Sequence, residues 1–388
     1  MTRVRIGICG MGAAGQAFIP ALYRHEGFEW VAFAEPVPQV REALAREHGI
    51  TAYEGLEAML RHPGIEAVYL ATPTGLHGPQ AVQAAQAGLH VLVEKPMAPT
   101  LAEARAMVDA ADRAGVVLLV GHSHSHDLPI LRMRDVIASQ ALGRVAMAHS
   151  WCYTDWVRRP RRPEELDATR GGGVTFRQGS HQFDILRLLC GGEARSVRAR
   201  SFDFDPQRPT TGAHTVWIDF ANGSVATAVY NGYGRFSTMD LTGDISEWGF
   251  RQPPSDRPRL PVARGLSPQE ELLAKQQRSR TAIPADAPHQ PFFGLTVVSC
   301  ERGDIRQSPD GLLVYDDEGR REIPLTARRS PRELVLDEFQ QAVASGRKPL
   351  HDGRWGLATL EICVAAVEAS ATGQEVRLRE QVAVPGPG

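Results

Sequence analysis

Lys95, His181 and Arg177 are the residues of this 388-residue chain whose types and positions are best suited to chemistry. Lys95 lies in the tripeptide Glu94-Lys95-Pro96, and His181 lies in the segment GGGVTFRQGSHQFD at 171–184. An amine or an imidazole can take the proton of a substrate hydroxyl when it is neutral. A lysine does this near neutral pH only if burial or a neighbouring cation favours the neutral amine. We therefore interpret Lys95 and His181 as catalytic, with Lys95 as the general base or proton relay.

Arg177 stands one helical turn before His181, where a site built for alcohol oxidation would be expected to hold a carboxylate. The planar guanidinium binds carboxylates through two parallel hydrogen bonds. A further cation in a site that already holds Lys95 is costly unless an anion arrives. The sequence thus predicts a small anionic substrate bound by Arg177 and Asp184. The alternative is a structural ion pair of Arg177 with Asp184 or Asp155.

Four arginines stand in the run Arg158-Arg159-Pro160-Arg161-Arg162, directly before the acidic stretch 164–167. In one interpretation, one of the four arginines reaches the site and holds a second substrate carboxylate. In the other, the run is a solvated loop balanced by the acids that follow it. We take Arg158 and the neighbouring Trp156 as candidates for substrate binding.

Three histidines occupy alternate positions in the segment GHSHSHD at 121–127, after the fifth apolar run of the chain. A loop after a strand of a doubly wound sheet faces the ligand crevice, so one histidine, His124, is expected to contact the substrate. In an extended segment His122, His124 and His126 would share one face and, with Asp127, could bind a metal ion.

A glycine-rich turn, Gly10-Met11-Gly12-Ala13-Ala14-Gly15, follows the first apolar run and opens a helical pattern. Glycines here permit a tight turn and close approach of a pyrophosphate to the helix N-terminus. Glu35 follows 20 residues later, where its carboxylate can accept hydrogen bonds from a ribose diol and would repel a 2′-phosphate. The segment predicts bound NAD rather than NADP, unless the turn serves helix packing alone.

Residues 1–122 alternate short apolar runs with helical patterns, which predicts an α/β domain with a doubly wound parallel sheet of the Rossmann type. The apolar runs are predicted to be buried strands, and the segments between them to be helices. The predicted strands are 4–10, 29–35, 66–73, 90–96 and 116–122, and the helices are 14–25, 38–49, 80–88 and 101–115.

Residues 123–388 are predicted to form a second α/β domain with a large, open, mainly antiparallel sheet. Alternating strand patterns cover 144–156, 194–204 and 214–233, and Asn222-Gly223 inside the last range is typical of a hairpin turn. A second hairpin at 312–325 and helices at 331–346 and 354–373 follow. The stretch 251–291, rich in Pro, Arg and Gln, is predicted to be an extended excursion or a subunit-contacting arm.

The composition is that of a soluble globular protein, with 43% hydrophobic and 23% charged residues. A formal net charge of −2 argues against nucleic acid and anionic membranes as partners. Apolar runs are too short for a membrane span. The five cysteines are scattered, which is typical of free thiols in a reducing compartment, so we expect a cytoplasmic location.

Four motifs in order make the chain resemble the Gfo/Idh/MocA family over nearly its whole length. They are the glycine turn, the stretch TPTGLH at 72–77, the tripeptide at 94–96 and the segment 171–184. The resemblance implies an N-terminal Rossmann domain and a C-terminal domain whose open sheet covers the active site and often forms oligomer contacts. We therefore expect a homodimer or homotetramer, and a reaction without metal.

The same resemblance implies roles for individual residues. The motif lysine acts in catalysis and matches Lys95, next to Glu94 on the cofactor side, while the second-domain histidine matches His181. Thr72, Pro73 and His77 match residues that line the cofactor. The chain departs from the family at Arg177, where many polyol-oxidising relatives carry an aspartate.

A narrower resemblance lies in the stretches 151–167 and 171–192, which are similar to the phthalate 4,5-cis-dihydrodiol dehydrogenase branch of the family. It implies NAD-dependent oxidation of an anionic cis-dihydrodiol to a ketone that becomes a catechol. The alternatives are a sugar or inositol dehydrogenase, an NAD-dependent glycosidase without net redox change, and a non-catalytic NAD sensor.

Overall fold

The computed structural model describes residues 3–254, 266–281, 287–327 and 329–385. The chain divides into two compact units. The first comprises Met1–His122, Gln276–Ala282 and Arg332–Leu357, and the second comprises Ser123–Lys275, Ile283–Pro331 and Ala358–Gly388.

A six-stranded parallel sheet forms the centre of the first unit. The strands are β1 (Val4–Cys9), β2 (Phe28–Ala34), β3 (Thr51–Tyr53), β4 (Ala67–Leu70), β5 (His90–Glu94) and β6 (Leu118–Gly121). They lie in the order β3-β2-β1-β4-β5-β6, so the chain winds outward from β1 in both directions. The predicted doubly wound parallel sheet is confirmed. The strand β3 was not predicted, because three half-exposed residues give no apolar run.

Five helices connect these strands: α1 (Ala13–Arg24), α2 (Pro38–His48), α3 (Leu56–Met59), α4 (Thr74–Gln86) and α5 (Leu101–Ala114). Local chemistry sets their ends. The α5 helix begins where the hydroxyl oxygen of Thr100 accepts a hydrogen bond from the Glu103 amide, and it ends at Gly115 in the left-handed region. The α4 helix starts six residues before the predicted start at residue 80, because Pro79 and two glycines obscure its first turns.

A nine-stranded sheet forms the centre of the second unit, in the order β14-β13-β12-β11-β7-β10-β9-β8-β15. The strands are β7 (Val145–Tyr153), β8 (Ala194–Phe202), β9 (Ala213–Phe220), β10 (Val225–Asn231), β11 (Leu295–Cys300), β12 (Gly303–Ser308), β13 (Gly311–Asp316), β14 (Gly319–Pro324) and β15 (Val376–Arg377). Neighbours pair antiparallel except β7 and β10, which are parallel. The predicted open, mainly antiparallel sheet is confirmed, and the hairpin at Asn222-Gly223 joins β9 to β10.

The helices α6 (Leu128–Ala138), α7 (Pro163–Leu166) and α8 (Ser180–Leu189) lie in this unit, and α9 (Pro268–Thr281) begins in it and continues into residues assigned to the first unit. The α9 helix lies inside the stretch 251–291, which was predicted to be an extended excursion. Residues 255–265 and 282–286 of that stretch lie outside the described residues. No helix within the described part of the chain is long and apolar enough to cross a bilayer.

The chain ends with α10 (Pro331–Ser345) and α11 (Gly353–Thr372). Residues 332–357, which the sequence placed in the second domain, belong to the first unit. The physical reason is burial: the Phe339 ring stacks on Phe28 with centroids 6.0 Å apart, and Val335 joins the same apolar cluster. The first unit is therefore built from both ends of the chain.

Candidate active site

Lys95 lies directly after β5, at the edge where the parallel strands of the first unit end, and is half-buried. The preceding Glu94 accepts a hydrogen bond from the Tyr69 hydroxyl at 2.6 Å. Burial, followed by the Glu94 charge, raises the pKa of Tyr69 well above its ordinary value. Tyr69 therefore remains a donor and holds the Glu94 carboxylate beside the predicted catalytic lysine.

The buried ring of His77 joins the loops that follow β4 and β5. Its Nε2 lies 2.8 Å from the carbonyl oxygen of Thr72, and its Nδ1 lies 3.0 Å from that of Pro96. The Thr72 hydroxyl donates to Gln80, and Pro73 directly precedes α4. These contacts show His77 supporting the loop that follows Lys95; the cofactor-lining role expected of Thr72, Pro73 and His77 stays a prediction.

The glycine turn after β1 leaves no room for side chains at two of its positions. Gly10 has a φ of +94°, and a Cβ there would lie 2.8 Å from the Ala71 carbonyl oxygen. A Cβ on Gly15 would collide with the Gly10 carbonyl oxygen, so helix α1, which begins with Ala13 and Ala14 after Gly12, packs tightly on the turn. Both positions require glycine.

Glu35 follows the last residue of β2 and is buried beside the same turn. Its Oε2 accepts a hydrogen bond from the Met11 amide at 3.1 Å, and its Oε1 accepts one from the Val37 amide at 3.0 Å. Each carboxylate oxygen keeps a second lone pair, which a ribose hydroxyl can use. The turn, the helix N-terminus and this carboxylate fit an adenine dinucleotide without a 2′-phosphate.

The segment that carries Arg177 and His181 is a continuous helix with one irregular turn. Thr175–Gly179 form a π-helical turn that runs directly into α8. Such turns change which side chains align along a helix and occur frequently at functional sites. His181 and Asp184 are buried on α8, while Arg177 on the π-helical turn is partly exposed.

Arg177 forms an ion pair with Glu165 of α7, with 3.3 Å between Nη2 and Oε1. The Lys275 ammonium of α9 binds the other oxygen of Glu165. Burial disfavours the Glu165 charge, but Arg177, Lys275 and Arg161 outweigh it and hold the pKa of this carboxyl well below its usual range. The structural ion pair weighed for Arg177 thus exists, and it has a partner, Glu165, that was not among the two acids weighed.

The arginine run divides into members with different partners. Arg159 binds Asp155 at 2.6 Å, which explains why Asp155 does not pair with Arg177. Arg161 lies over the ring of the buried Trp156, with its guanidinium carbon 4.1 Å from the ring centroid. Arg158 is half-buried and makes no ion pair with any described residue. The arginine that lies over the candidate substrate-binding tryptophan is Arg161, and the substrate-binding roles of Arg158 and Trp156 stay predictions.

His181 is enclosed by aromatic rings. The His124 ring meets it edge to face at a centroid distance of 4.7 Å, and the Phe293 ring lies 4.9 Å from it. His124 places Nδ1 3.1 Å from Asp127 and Nε2 3.3 Å from Glu247. With both nitrogens on carboxylates, His124 supports His181, and its predicted contact with the substrate stays a prediction.

The charge of His124 is set by these two carboxylates. Burial lowers the pKa of the imidazole, but Asp127 and Glu247 outweigh burial and raise it to about 9. His124 is therefore an imidazolium at neutral pH. Among the described residues, His122, His124 and His126 do not form a metal-binding group with Asp127.

Gln182, next to His181, fixes α8 against the sheet. Its amide nitrogen donates to the carbonyl oxygens of Ser150 on β7 and Val229 on β10, at 3.0 and 3.1 Å. Its oxygen accepts from His214 Nε2, and His214 Nδ1 accepts from the Thr175 hydroxyl, each at 3.1 Å. Burial lowers the pKa of His214 to about 3, so the ring is neutral and can both donate and accept.

The structure thus brings together predicted residues within each unit and adds others. In the first unit Glu35 contacts the glycine turn, and His77 bonds to Thr72. In the second, Arg177, His124 and His181 acquire partners that sequence reasoning missed. The missed residues are Glu165, Lys275, Glu247, Phe293, Gln182 and His214. Of these, Glu165 and Gln182 stood in stretches with a visible signal, the acids after the arginine run and the segment 171–184.

Comparison with known proteins gives consistent matches. Residues 4–122 match the model described as "Oxidoreductase family, NAD-binding Rossmann fold", and residues 130–243 match the "GFO/IDH/MocA C-terminal domain". A 1-carboxy-3-chloro-3,4-dihydroxycyclohexa-1,5-diene dehydrogenase of Comamonas testosteroni is 36% identical over 374 residues, 94% of each chain.

Two further relatives place that match in context. A solved structure from Bordetella bronchiseptica RB50 superimposes with a TM-score of 0.91 at 38% identity, covering 97% of this chain and 100% of that one. The NAD⁺-dependent scyllo-inositol 2-dehydrogenase of Bacillus subtilis (strain 168) is 28% identical over 62% of this chain and 72% of its own.

The raised pKa of His124 predicts a stability that depends on pH. A histidine whose pKa rises from 6.5 to about 9 on folding stabilises the protein fully below pH 6.5, and this contribution is lost as pH rises through 9. It is on the order of 3 kcal/mol. We expect the urea midpoint to fall between pH 6.5 and 9.5 more steeply in the wild type than in His124→Gln. Parallel pH profiles for the two proteins would contradict this assignment.

Proposed function

Because the chain belongs to the Gfo/Idh/MocA family of NAD-dependent oxidoreductases, we propose that it oxidises an anionic cis-dihydrodiol, the 4,5-cis-dihydrodiol of phthalate. The product is a hydroxyketone that tautomerises to 4,5-dihydroxyphthalate. The gain of aromaticity in that step draws the oxidation forward.

The observation that carries this proposal is Arg177 on the helix of His181. A polyol gives no reason for a guanidinium four residues before the histidine, whereas a substrate carboxylate can form two parallel hydrogen bonds with it. Glu165 accepts a hydrogen bond from Arg177 Nη2 at 3.3 Å and so helps to hold the guanidinium on the helix of His181. The name of the Comamonas testosteroni relative describes a substrate with a carboxyl group and a vicinal diol on a cyclohexadiene ring.

The chain supplies the groups that handle the proton of the reacting hydroxyl. Bound NAD⁺ supplies the acceptor for the hydride that leaves the carbinol carbon. Lys95 takes the hydroxyl proton through its neutral amine, and His181 hydrogen-bonds the diol. Trp156 and Asp184 shape the substrate-binding unit, and Arg158 contributes positive charge at its edge.

His124 acts in this proposal as a positioning residue. Its imidazolium contacts the His181 ring edge to face at a centroid distance of 4.7 Å. This contact holds the His181 ring in place for a hydrogen bond to a substrate hydroxyl. Because Asp127 and Glu247 hold His124 from both sides, the ring it supports has one orientation.

Two other activities are weighed against this one. The inositol dehydrogenase relative favours a neutral polyol as a second candidate substrate. An NAD-dependent glycosidase of the same broad family would show no net redox change. We further infer a cytoplasmic enzyme, since all five cysteines are free thiols.

We propose that the protein forms an oligomer through the outward face of the second unit's sheet. Met147 and Trp151 on β7 and Trp217 on β9 are large, exposed apolar side chains on neighbouring parts of this face. Apolar surface of this kind is typical of a contact between subunits. A second copy of the chain is the partner we propose, in a homodimer or homotetramer.

The oxidation is tested with a panel of carboxylated cis-dihydrodiols and neutral polyols, each supplied with NAD⁺. We expect absorbance of NADH to accumulate with phthalate 4,5-cis-dihydrodiol. Activity confined to inositol or sugars would contradict the proposal. Turnover without accumulation of NADH would instead identify a glycosidase.

Arg177→Ala tests the substrate charge. Loss of a charged hydrogen-bond pair costs about 1.5–3 kcal/mol, so we expect kcat/KM for the anionic diol to fall roughly 10- to 100-fold. Residual turnover of any neutral polyol should change much less, because no anion pairs with Arg177 there. An equal loss for both substrate classes would show that Arg177 acts only on the fold.

Trp151→Glu and Trp217→Glu test the assembly. Light scattering should give a mass that is a multiple of 42.4 kDa for the wild type and a smaller mass for both variants. Phe204→Glu, which changes an exposed aromatic residue after the end of β8, serves as the control and should leave the assembly intact. A monomeric wild type would refute the proposed contact.

A further inference from the structure

The first half of helix α9 docks on the second unit mainly through charged side chains. Of the described side chains at 269–275, only Glu271 is buried, and Leu273 is 60% exposed. A surface helix of a globular protein usually packs through apolar residues three and four positions apart. The charged contacts of Glu271 and of Lys275, one turn later, therefore carry much of the docking.

Glu271 fixes the start of α9. Its carboxylate accepts hydrogen bonds from both terminal nitrogens of Arg208, at 2.7 and 2.8 Å. Its Oε2 also accepts a hydrogen bond from the Arg161 amide, at 2.6 Å. Arg208 in turn donates to the carbonyl oxygen of Arg159, at 3.2 Å. These bonds tie one turn of α9 to the arginine run and so define where the next turn, with Lys275, lies.

Lys275 contacts Glu165, the buried carboxylate of α7. The Lys275 ammonium and the Arg162 amide both donate to Oε2 of Glu165, the amide at a distance of 2.8 Å. Two donors on one oxygen fix the orientation of the carboxylate. The other oxygen, Oε1, lies 3.3 Å from Nη2 of Arg177. Lys275 is thus linked to Arg177 through one carboxylate, and all of these residues belong to the second unit.

Removal of Lys275 would disturb this link. Glu165 is buried, and a buried charge that loses one of its partners is strongly destabilised. Without Lys275 the carboxylate would turn toward Arg177, because a guanidinium can bind both oxygens of a carboxylate at once. The guanidinium of Arg177 would then be directed toward Glu165 and away from a ligand.

The protonation of Lys275 changes at mildly alkaline pH. Burial lowers its pKa to about 8; Glu165 opposes burial, and the charges of Arg161 and Arg177 add to it. Glu165 stays ionised, since these cations hold its pKa well below the usual range. Glu271, on the same helix as Lys275, stays paired with its arginine. As pH rises through 8, Lys275 therefore becomes neutral while the carboxylate that it contacts keeps its charge.

We propose that Lys275 is a positioning residue, which acts through Glu165 to hold Arg177 in the orientation that binds a substrate carboxylate. The inference rests on the proposed function, in which Arg177 binds that carboxylate. Lys275 makes its contribution without touching the substrate. Binding of an anionic ligand is therefore coupled to the docking of α9.

Calorimetric titration of phthalate into the full-length, NAD⁺-saturated protein tests this role without turnover. We expect Lys275→Met to weaken phthalate binding roughly 10-fold at neutral pH, because Arg177 loses its fixed orientation. Lys275→Arg keeps the cation and should restore most of the affinity. Lys348→Met makes the same change at an exposed lysine, which pairs with Asp352, and should leave the affinity within about 2-fold of the wild type.

The pH profile separates positioning from packing. As pH rises through 8, we expect phthalate binding by the wild type to weaken because Lys275 loses its proton. Lys275→Arg, whose guanidinium stays protonated, should lose less affinity over the same range. Phthalate keeps both charges throughout, so the ligand does not account for the difference. Profiles of equal slope for the two proteins overturn the positioning role.

A double-mutant cycle shows whether Lys275 acts through Arg177. In an Arg177→Ala background, Lys275→Met should change phthalate binding less than about 2-fold, because the side chain that it positions is gone. Losses that add in full would show that Lys275 binds the ligand itself. If Lys275→Met fails to fold, as judged by circular dichroism, the pH profiles of the wild type and Lys275→Arg decide the question alone.

The outcomes distinguish this inference from the proposed function. Phthalate binding that does not depend on Lys275, or no phthalate binding at all, overturns the positioning role even if dihydrodiols are oxidised. Phthalate binding that depends on Lys275 through Arg177 supports the role even if no dihydrodiol is a substrate. In that case only the proposed reaction fails.

Discussion

The buried amide of Gln182 is the constraint on which the placement of the reactive groups of the second unit depends. It bridges β7, β10 and His214 of β9 with every polar atom bonded. A buried polar group left unbonded costs about 1–3 kcal/mol, so α8 cannot rotate or slide without losing several bonds at once. This also fixes the positions of His181, which directly precedes Gln182, and of Arg177 on the π-helical turn before α8. The neutral ring of His214 secures the arrangement, since an imidazolium could not accept from Thr175.

The electrostatics of the site follow from how each carboxylate is shared. Asp127 and Glu247 together hold one cation, His124, whereas the charges of Arg161, Arg177 and Lys275 all act on Glu165. The first environment retains a proton on its histidine, and the second keeps its carboxyl ionised. Both lie in the unit that carries His181.

Most of the first sheet could be predicted from sequence, and much of the site could not. Apolar runs such as 90–96 identify buried parallel strands because both faces of the strand need apolar side chains. Residue types also predicted that the glycine turn and Glu35 form the nucleotide site. In the structure, the Glu35 carboxylate accepts a hydrogen bond from the Met11 amide of that turn. The pairing of Glu165 with Lys275 joins residues 110 positions apart, and no local pattern encodes it. Asp155, one of the two acids weighed as a structural partner of Arg177, pairs with Arg159 instead.

The discontinuous first unit has a consequence for how the protein is made. Its parallel sheet comes from the first 122 residues, but Phe28 is covered by Phe339, which the ribosome adds only after eight of the nine strands of the second sheet have been synthesised. During translation, the nucleotide-binding sheet therefore exposes an apolar surface to water and to chaperones until α10 has been synthesised. A chain cut short before α10 loses part of its N-terminal core, so premature termination damages the earliest-made unit as well as the last.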